Sequence, residues 1–82
     1  MTEAKILQEL TAVIQQTLGL SDTVITSQTT AKDVAEWDSL SHLEIIANAE
    51  AHFKVSLTLQ EIQSMKNVGD FVRLLGRKLI QP

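Results

Sequence analysis

The chain contains no cysteine among its 82 residues. Disulfide staples and thiolate metal sites are therefore excluded, and any thiol chemistry must come from a group attached to the chain. The only proline is the last residue, Pro82, so nothing before it forbids helix. No apolar run is long enough to span a membrane. Glu3, Lys5 and Glu9 interrupt the opening stretch, which leaves no apolar core of a signal peptide. A cytoplasmic protein without a membrane role is expected. Repeats and low-complexity tracts are absent as well. A chain this short buries only about 60% of the surface it exposes when unfolded, so a deep, many-layered catalytic cleft is out of reach. One domain over residues 1–82 is expected.

Basic charge is scarce where it would matter for nucleic acid. The net charge is −3, but it is unevenly spread. Between Asp33 and Glu61 lie the acids Asp33, Glu36, Asp38, Glu44, Glu50 and Glu61 against the single base Lys54. Four bases gather between Lys66 and Lys78. An acidic middle argues against nucleic acid as partner, because phosphate binding needs clustered Lys and Arg. It suits docking onto basic protein surfaces. No sustained heptad pattern suggests self-association, and a monomer is expected.

What is present is helical periodicity. Ile6, Leu10, Val13, Ile14 and Leu18 recur at helix spacing, with Thr2 and Glu3 suited to the start and Gly19 to the C-terminal cap. The pattern predicts a helix over 3–18. A Ser- and Thr-rich loop follows from Leu20 to Trp37, tacked down by Leu20, Val24 and Ile25, with a short helical turn near Ala31–Val34. Loops this long are uncommon unless functional. Asp38 is a good N-cap for a second helix, with Leu40, Leu43, Ile46, Ala47 and Ala51 as its apolar stripe and Phe53 closing it. Thr58 and Glu61 form a capping-box pattern that opens a short helix, with Leu59, Ile62 and Met65 facing inward. Asn67 caps the last helix, whose inner face is Val68, Phe71, Val72, Leu75 and Leu79. Arg73, Arg77 and Lys78 suit its C-terminal end, and Gly76 weakens it or ends it early. The expected fold is all-α, a small bundle of three main helices plus one short helix, with a long loop between the first and second.

Trp37-Asp38-Ser39-Leu40 is the tetrapeptide that carries chemistry. It places the Ser39 hydroxyl at the first position of a helix, just after the long loop, where free amides and the helix dipole favour an anion. Leu40 is expected to anchor the helix start. Asp-Ser at a helix start is also ordinary capping, so the tetrapeptide alone decides nothing. Its surroundings do more. Glu36 to Ile46 resembles the Asp-Ser-Leu attachment site and second helix of the acyl carrier protein family. Glu50 to Val55 resembles the end of that helix, and Asn67-Val68-Gly69-Asp70-Phe71-Val72 the opening of the family's last helix. The match in spacing runs from Asp33 to Leu79.

The resemblance implies that a phosphopantetheinyl transferase moves 4′-phosphopantetheine from coenzyme A to Ser39, with Asp38 associated with the transferase and metal-assisted attachment. The arm would supply the missing thiol, carrying acyl or aminoacyl groups as thioesters from a loading enzyme to a downstream acyltransferase or synthase. The chain itself would be no enzyme, with no catalytic residue and no metal site of its own. Partner docking is implied for Glu44 and Glu50 on the second helix, with Glu36 nearby and Trp37 shaping the surface. Glu36 and Trp37 stand where fatty-acid carriers have small residues, and Ser41, Ala51 and His52 where those are commonly acidic. A specialised pathway follows: polyketide-like, lipid or glycan modification, or aminoacyl transfer.

Other residues have plainer readings. Trp37 pins the loop to the core. His42, one turn after Ser39, is within reach of a phosphate but reads as a solvated helix residue. His52 reads as surface, and Met65 and Ala47 as core that would also line any shelter for an acyl chain. A Ser39 hydrolase lacks a held base and a Gly-x-Ser-x-Gly elbow. A helix-turn-helix DNA binder has the wrong charge. The rival worth keeping is an unmodified interaction or regulatory module that docks through its acidic second helix.

Overall fold

The computed structural model describes residues 2–80. Four α-helices follow in order: α1 (Glu3–Leu18), α2 (Ser39–Phe53), α3 (Leu59–Ser64) and α4 (Val68–Ile80), with a single 3-10 turn at Ala31–Asp33 in the loop before α2. No strand occurs among the described residues. The expected all-α bundle of three main helices and one short one is what the chain adopts.

The ends of the helices follow the predicted capping chemistry. The Thr2 hydroxyl accepts from the Lys5 amide, and Gly19 closes α1 in the left-handed conformation at φ 71°. Asp38 caps α2, and the Thr58/Glu61 capping box opens α3. The Asn67 side chain accepts from the Asp70 amide at 2.8 Å at the start of α4. One cap was not foreseen: α2 ends on Lys54, which takes the left-handed conformation at φ 58° although it is not glycine.

α1 packs against both α2 and α4. Ile6, Leu10 and Ile14 of α1, Ile45 of α2, and Val68 and Leu75 of α4 are fully buried where the three meet. Gly76 does not end α4; the helix continues to Ile80. Its missing side chain instead faces Ile6, whose Cδ1 would lie 3.6 Å from an added Cβ.

The inward face of α2 differs from the expected stripe. Ile45, Ile46, Ala49 and Phe53 are buried, whereas Leu40, Leu43, Ala47 and Ala51 are exposed. Leu40 (69% exposed) and Leu43 (62%) therefore face away from the core, and Leu40 does not anchor the helix start. The helix carries apolar residues on two sides, so helical spacing fits either one. Phe53 and the β-branched pair Ile45-Ile46 supply the bulk that fills the core, and Ala49 lets α2 approach it closely. Val24 (80% exposed) and Leu59 (69%) also stay in solvent. The loop is held by Ile25, Val34 and Trp37, with Leu20 half-buried, and Leu59 sits at the first position of α3, outside the face formed by Ile62 and Met65.

The long loop is also fastened by its backbone. The Val68 and Gly69 amides at the start of α4 donate to the Thr29 and Ser27 carbonyls at 2.9 and 2.7 Å. Gln15 Nε2 of α1 donates to the Thr23 carbonyl at 2.7 Å. Loop carbonyls thus satisfy helix-terminal amides that would otherwise lack partners, and the loop reaches α2 along a fixed path.

Candidate functional site

Ser39 is the first residue of α2, exposed, and its hydroxyl has no hydrogen-bond partner among the described residues. The reason is local. Asp38 has extended backbone and takes the cap: its Oδ1 accepts from the Ser41 amide at 2.8 Å, and its carbonyl accepts from the His42 amide at 2.9 Å. The bond from the Ser41 amide is the main cause holding the Asp38 carboxyl below the usual carboxylate range. Asp38 is thus an anion fixed beside a free primary hydroxyl.

Trp37 stands two residues before Ser39 in the chain. It is 9% exposed and belongs to the core cluster, which agrees with the loop-pinning reading. Its indole Nε1 donates to His42 Nδ1 at 3.0 Å, with the two rings stacked at a centroid distance of 6.0 Å. His42 is therefore no solvated helix histidine. It is half-buried, and burial pushes its pKa down. The signal was available in the sequence: stepping back from Phe53 through Ala49, Ile46 and Ile45 at helix spacing lands on His42, on the inward face. A small cavity of about 60 Å³ adjoins the pair, lined by Trp37, His42, Met65, Val68 and Phe71, with Lys66 among its polar residues. Of the two residues expected to line such a space, Met65 does so; Ala47 is exposed on the opposite side of α2.

The other site residues are dispersed. Glu36 is exposed in the loop two residues before Asp38, and Glu44 is exposed on α2. Glu50 is half-buried, and its Oε2 accepts from the Leu57 amide at 2.8 Å, tying α2 to the link before α3. Beside Ser39 the exposed surface of α2 is mainly apolar, formed by Leu40, Leu43 and Ala47. His52 is on the surface as expected, but it is paired: its Nε2 lies 2.8 Å from Glu9 Oε1 of α1.

A family model described as the phosphopantetheine attachment site matches residues 8–75. The chain belongs to the acyl carrier protein family. The acyl carrier protein of Exiguobacterium sibiricum is 31% identical, over 88% of this chain and 91% of its own. That of Kineococcus radiotolerans is 28% identical, over 93% and 94%. Among solved structures, the holo acyl carrier protein of Geobacter metallireducens superposes with a TM-score of 0.84 at 41% identity, covering 89% of this chain and 84% of that one. The expected class therefore stands: a phosphopantetheine-dependent acyl carrier rather than an enzyme, working with a phosphopantetheinyl transferase and with synthase enzymes generally. The residues at the start of α2 fit the covalent group, since an exposed, unpartnered primary hydroxyl is the chemistry that a phosphoester needs. No helix among the described residues is long and apolar enough to cross a membrane.

Proposed function

We propose that Ser39 is the residue that takes the phosphopantetheine arm. One observation carries this reading: the Ser39 hydroxyl is exposed and unpartnered at the first position of α2, within the span matched by the attachment-site model. The arm supplies the thiol on which acyl groups are carried. The chain's own residues do the rest. Asp38 holds the helix start, so that Ser39 Oγ projects from a rigid element into a transferase, and it offers a carboxylate for metal-assisted attachment. Trp37, buried in the core, fixes the path of the loop into that helix.

Docking falls to the surface around Ser39. Glu36 and Glu44 provide its negative charge and Leu40 its apolar contact, while Trp37 shapes it from beneath. Glu50 takes part with only its spare acceptor capacity, because one oxygen is committed to the Leu57 amide. A surface so lightly charged suits a specialised pathway, with polyketide, lipid, glycan or aminoacyl cargo and a dedicated loading enzyme. Residues 1–82 act as one carrier domain, monomeric and cytoplasmic.

The test is to load the protein from coenzyme A with a broad-specificity transferase, digest it and locate the adduct by tandem mass spectrometry. The adduct is expected on Ser39. An adduct on Ser41 or another hydroxyl would refute the assignment.

A further inference from the structure

A phosphodiester on Ser39 Oγ is an anion, and an anion at a helix start ordinarily finds free amides. Here Asp38 competes for them. Asp38 Oδ1 holds the Ser41 amide, and the Leu40 amide also helps keep that carboxyl ionised. The Asp38 carbonyl holds the His42 amide. The helix end is thus already occupied by a carboxylate, which repels a second anion. From Ser39 to Phe53 the helix offers no Lys or Arg. One turn onward from Ser39 stands His42, a side chain able to donate.

The protonation state of His42 follows from its partner. An indole N–H only donates, so the His42 Nδ1 that receives it at 3.0 Å must present a lone pair. The ring is then neutral, with its proton on Nε2. Burial acts in the same direction. Lys66 borders the same cavity, and Asp38, the acid at the helix start, engages the Ser41 amide through Oδ1. The remaining histidine, His52, is engaged with Glu9. Residues three apart on a helix are surface neighbours, with Cβ atoms about 5–6 Å apart.

We propose that His42 is a positioning residue for the arm: its Nε2–H donates to a phosphodiester oxygen on Ser39, and Trp37 fixes the tautomer that makes this donation possible. The proposal rests on Ser39 carrying the arm. It gives the Trp37–His42 pair a task beyond satisfying a buried indole. One net hydrogen bond holds the phosphate about fivefold over its free state, enough to bias where the arm starts without locking it.

The test uses the full-length holo protein, with loading verified by intact mass, and reads the phosphorus NMR signal of the arm and the ring nitrogens of His42 between about pH 5 and 8. A phosphodiester has no titration of its own in this range. The wild-type phosphorus signal is expected to shift with the protonation of His42. The pKa of His42 is expected to be higher in holo than in apo protein by about half a unit or more, because an adjacent anion favours the imidazolium. His42→Phe is expected to abolish the phosphorus titration, whereas His42→Asn, which keeps an acceptor for Trp37 and an amide donor, restores the static shift. A phosphorus signal indifferent to pH in wild type, or titrating equally in His42→Phe, would overturn the proposal. Should His42→Phe fail to fold, the wild-type comparison decides alone: an unchanged His42 pKa on loading is a refutation. No mass gain at all refutes the Ser39 assignment and this proposal with it.

Discussion

Replacing Gly69 with alanine sets two effects of opposite sign against each other. In a helix interior alanine is favoured over glycine by about 1 kcal/mol, so propensity alone predicts a more stable protein. The structure predicts the reverse. A Cβ built on Gly69 would lie 2.8 Å from the Ser27 carbonyl oxygen, 3.2 Å from Ser27 Cβ and 3.3 Å from Asn67 Oδ1. The first obstacle is backbone and cannot swing aside. The loop would have to retreat, and the bond from the Gly69 amide to that same carbonyl, 2.7 Å long, would go with it, straining the neighbouring Val68-to-Thr29 bond. Two weakened hydrogen bonds amount to about 2–3 kcal/mol. Setting the propensity gain against them leaves a net loss of about 1–2 kcal/mol. In a domain this size that lowers the melting temperature by about 4–8 °C per kcal/mol.

Gly76→Ala is the internal control, because its Cβ would meet only Ile6 Cδ1 at an ordinary 3.6 Å. It is expected to stabilise by about 0.5–1 kcal/mol. Urea unfolding followed by circular dichroism reads both variants, and Trp37, the single tryptophan, reports the loop by fluorescence. If Gly69→Ala proves as stable as wild type, the loop is not clamped to α4 as described.

Three further outcomes are expected. Asp38→Ala should cost about 1 kcal/mol through loss of the cap on the Ser41 amide, while Asp38→Asn, which can still accept, should cost far less; equal losses in chemical denaturation would contradict the capping role. Lys54→Gly should gain about 1 kcal/mol by relieving a left-handed non-glycine cap, read from the urea midpoint, and a loss would show that the Lys54 side chain matters more than its backbone. For His42 the folded pKa lies below the unfolded value of about 6.5, so the unfolded chain binds its proton first. Its stability contribution is therefore full above about pH 6.5 and declines as pH falls toward the folded value. The carboxyls of Asp38, Asp70 and Glu61, also lowered, lose theirs only at lower pH, as pH falls through their folded pKa values. Thermal melts of wild type and His42→Asn should diverge in the upper window and agree in shape in the lower one.

The helix starts were legible because each begins on a side chain that can accept. Thr2, Asp38 and Thr58 all cap as their chemistry dictates, and α1 has a single run of inward residues. The face of α2 was not legible, because Leu40, Leu43 and Ala47 on one side compete with Ile45, Ile46, Ala49 and Phe53 on the other. Only assembly against α1 decides between them. The same ambiguity hid His42: assigned to the wrong face, it read as solvated, and its bond to Trp37 spans five residues across a helix start. Ser39 was legible from local pattern and resemblance together. The engagement of Glu50 was not, since its partner is a backbone amide seven residues on. Charge alone gives no hint that a carboxylate is already committed.

The central claim is that Ser39 carries the arm, and intact mass tests it most directly. Wild type and Ser39→Ala are incubated side by side with coenzyme A, magnesium and a transferase proven active on another carrier. The account predicts a gain of one phosphopantetheine in wild type and none in Ser39→Ala. An equal gain in both proteins, or none in either, would contradict it.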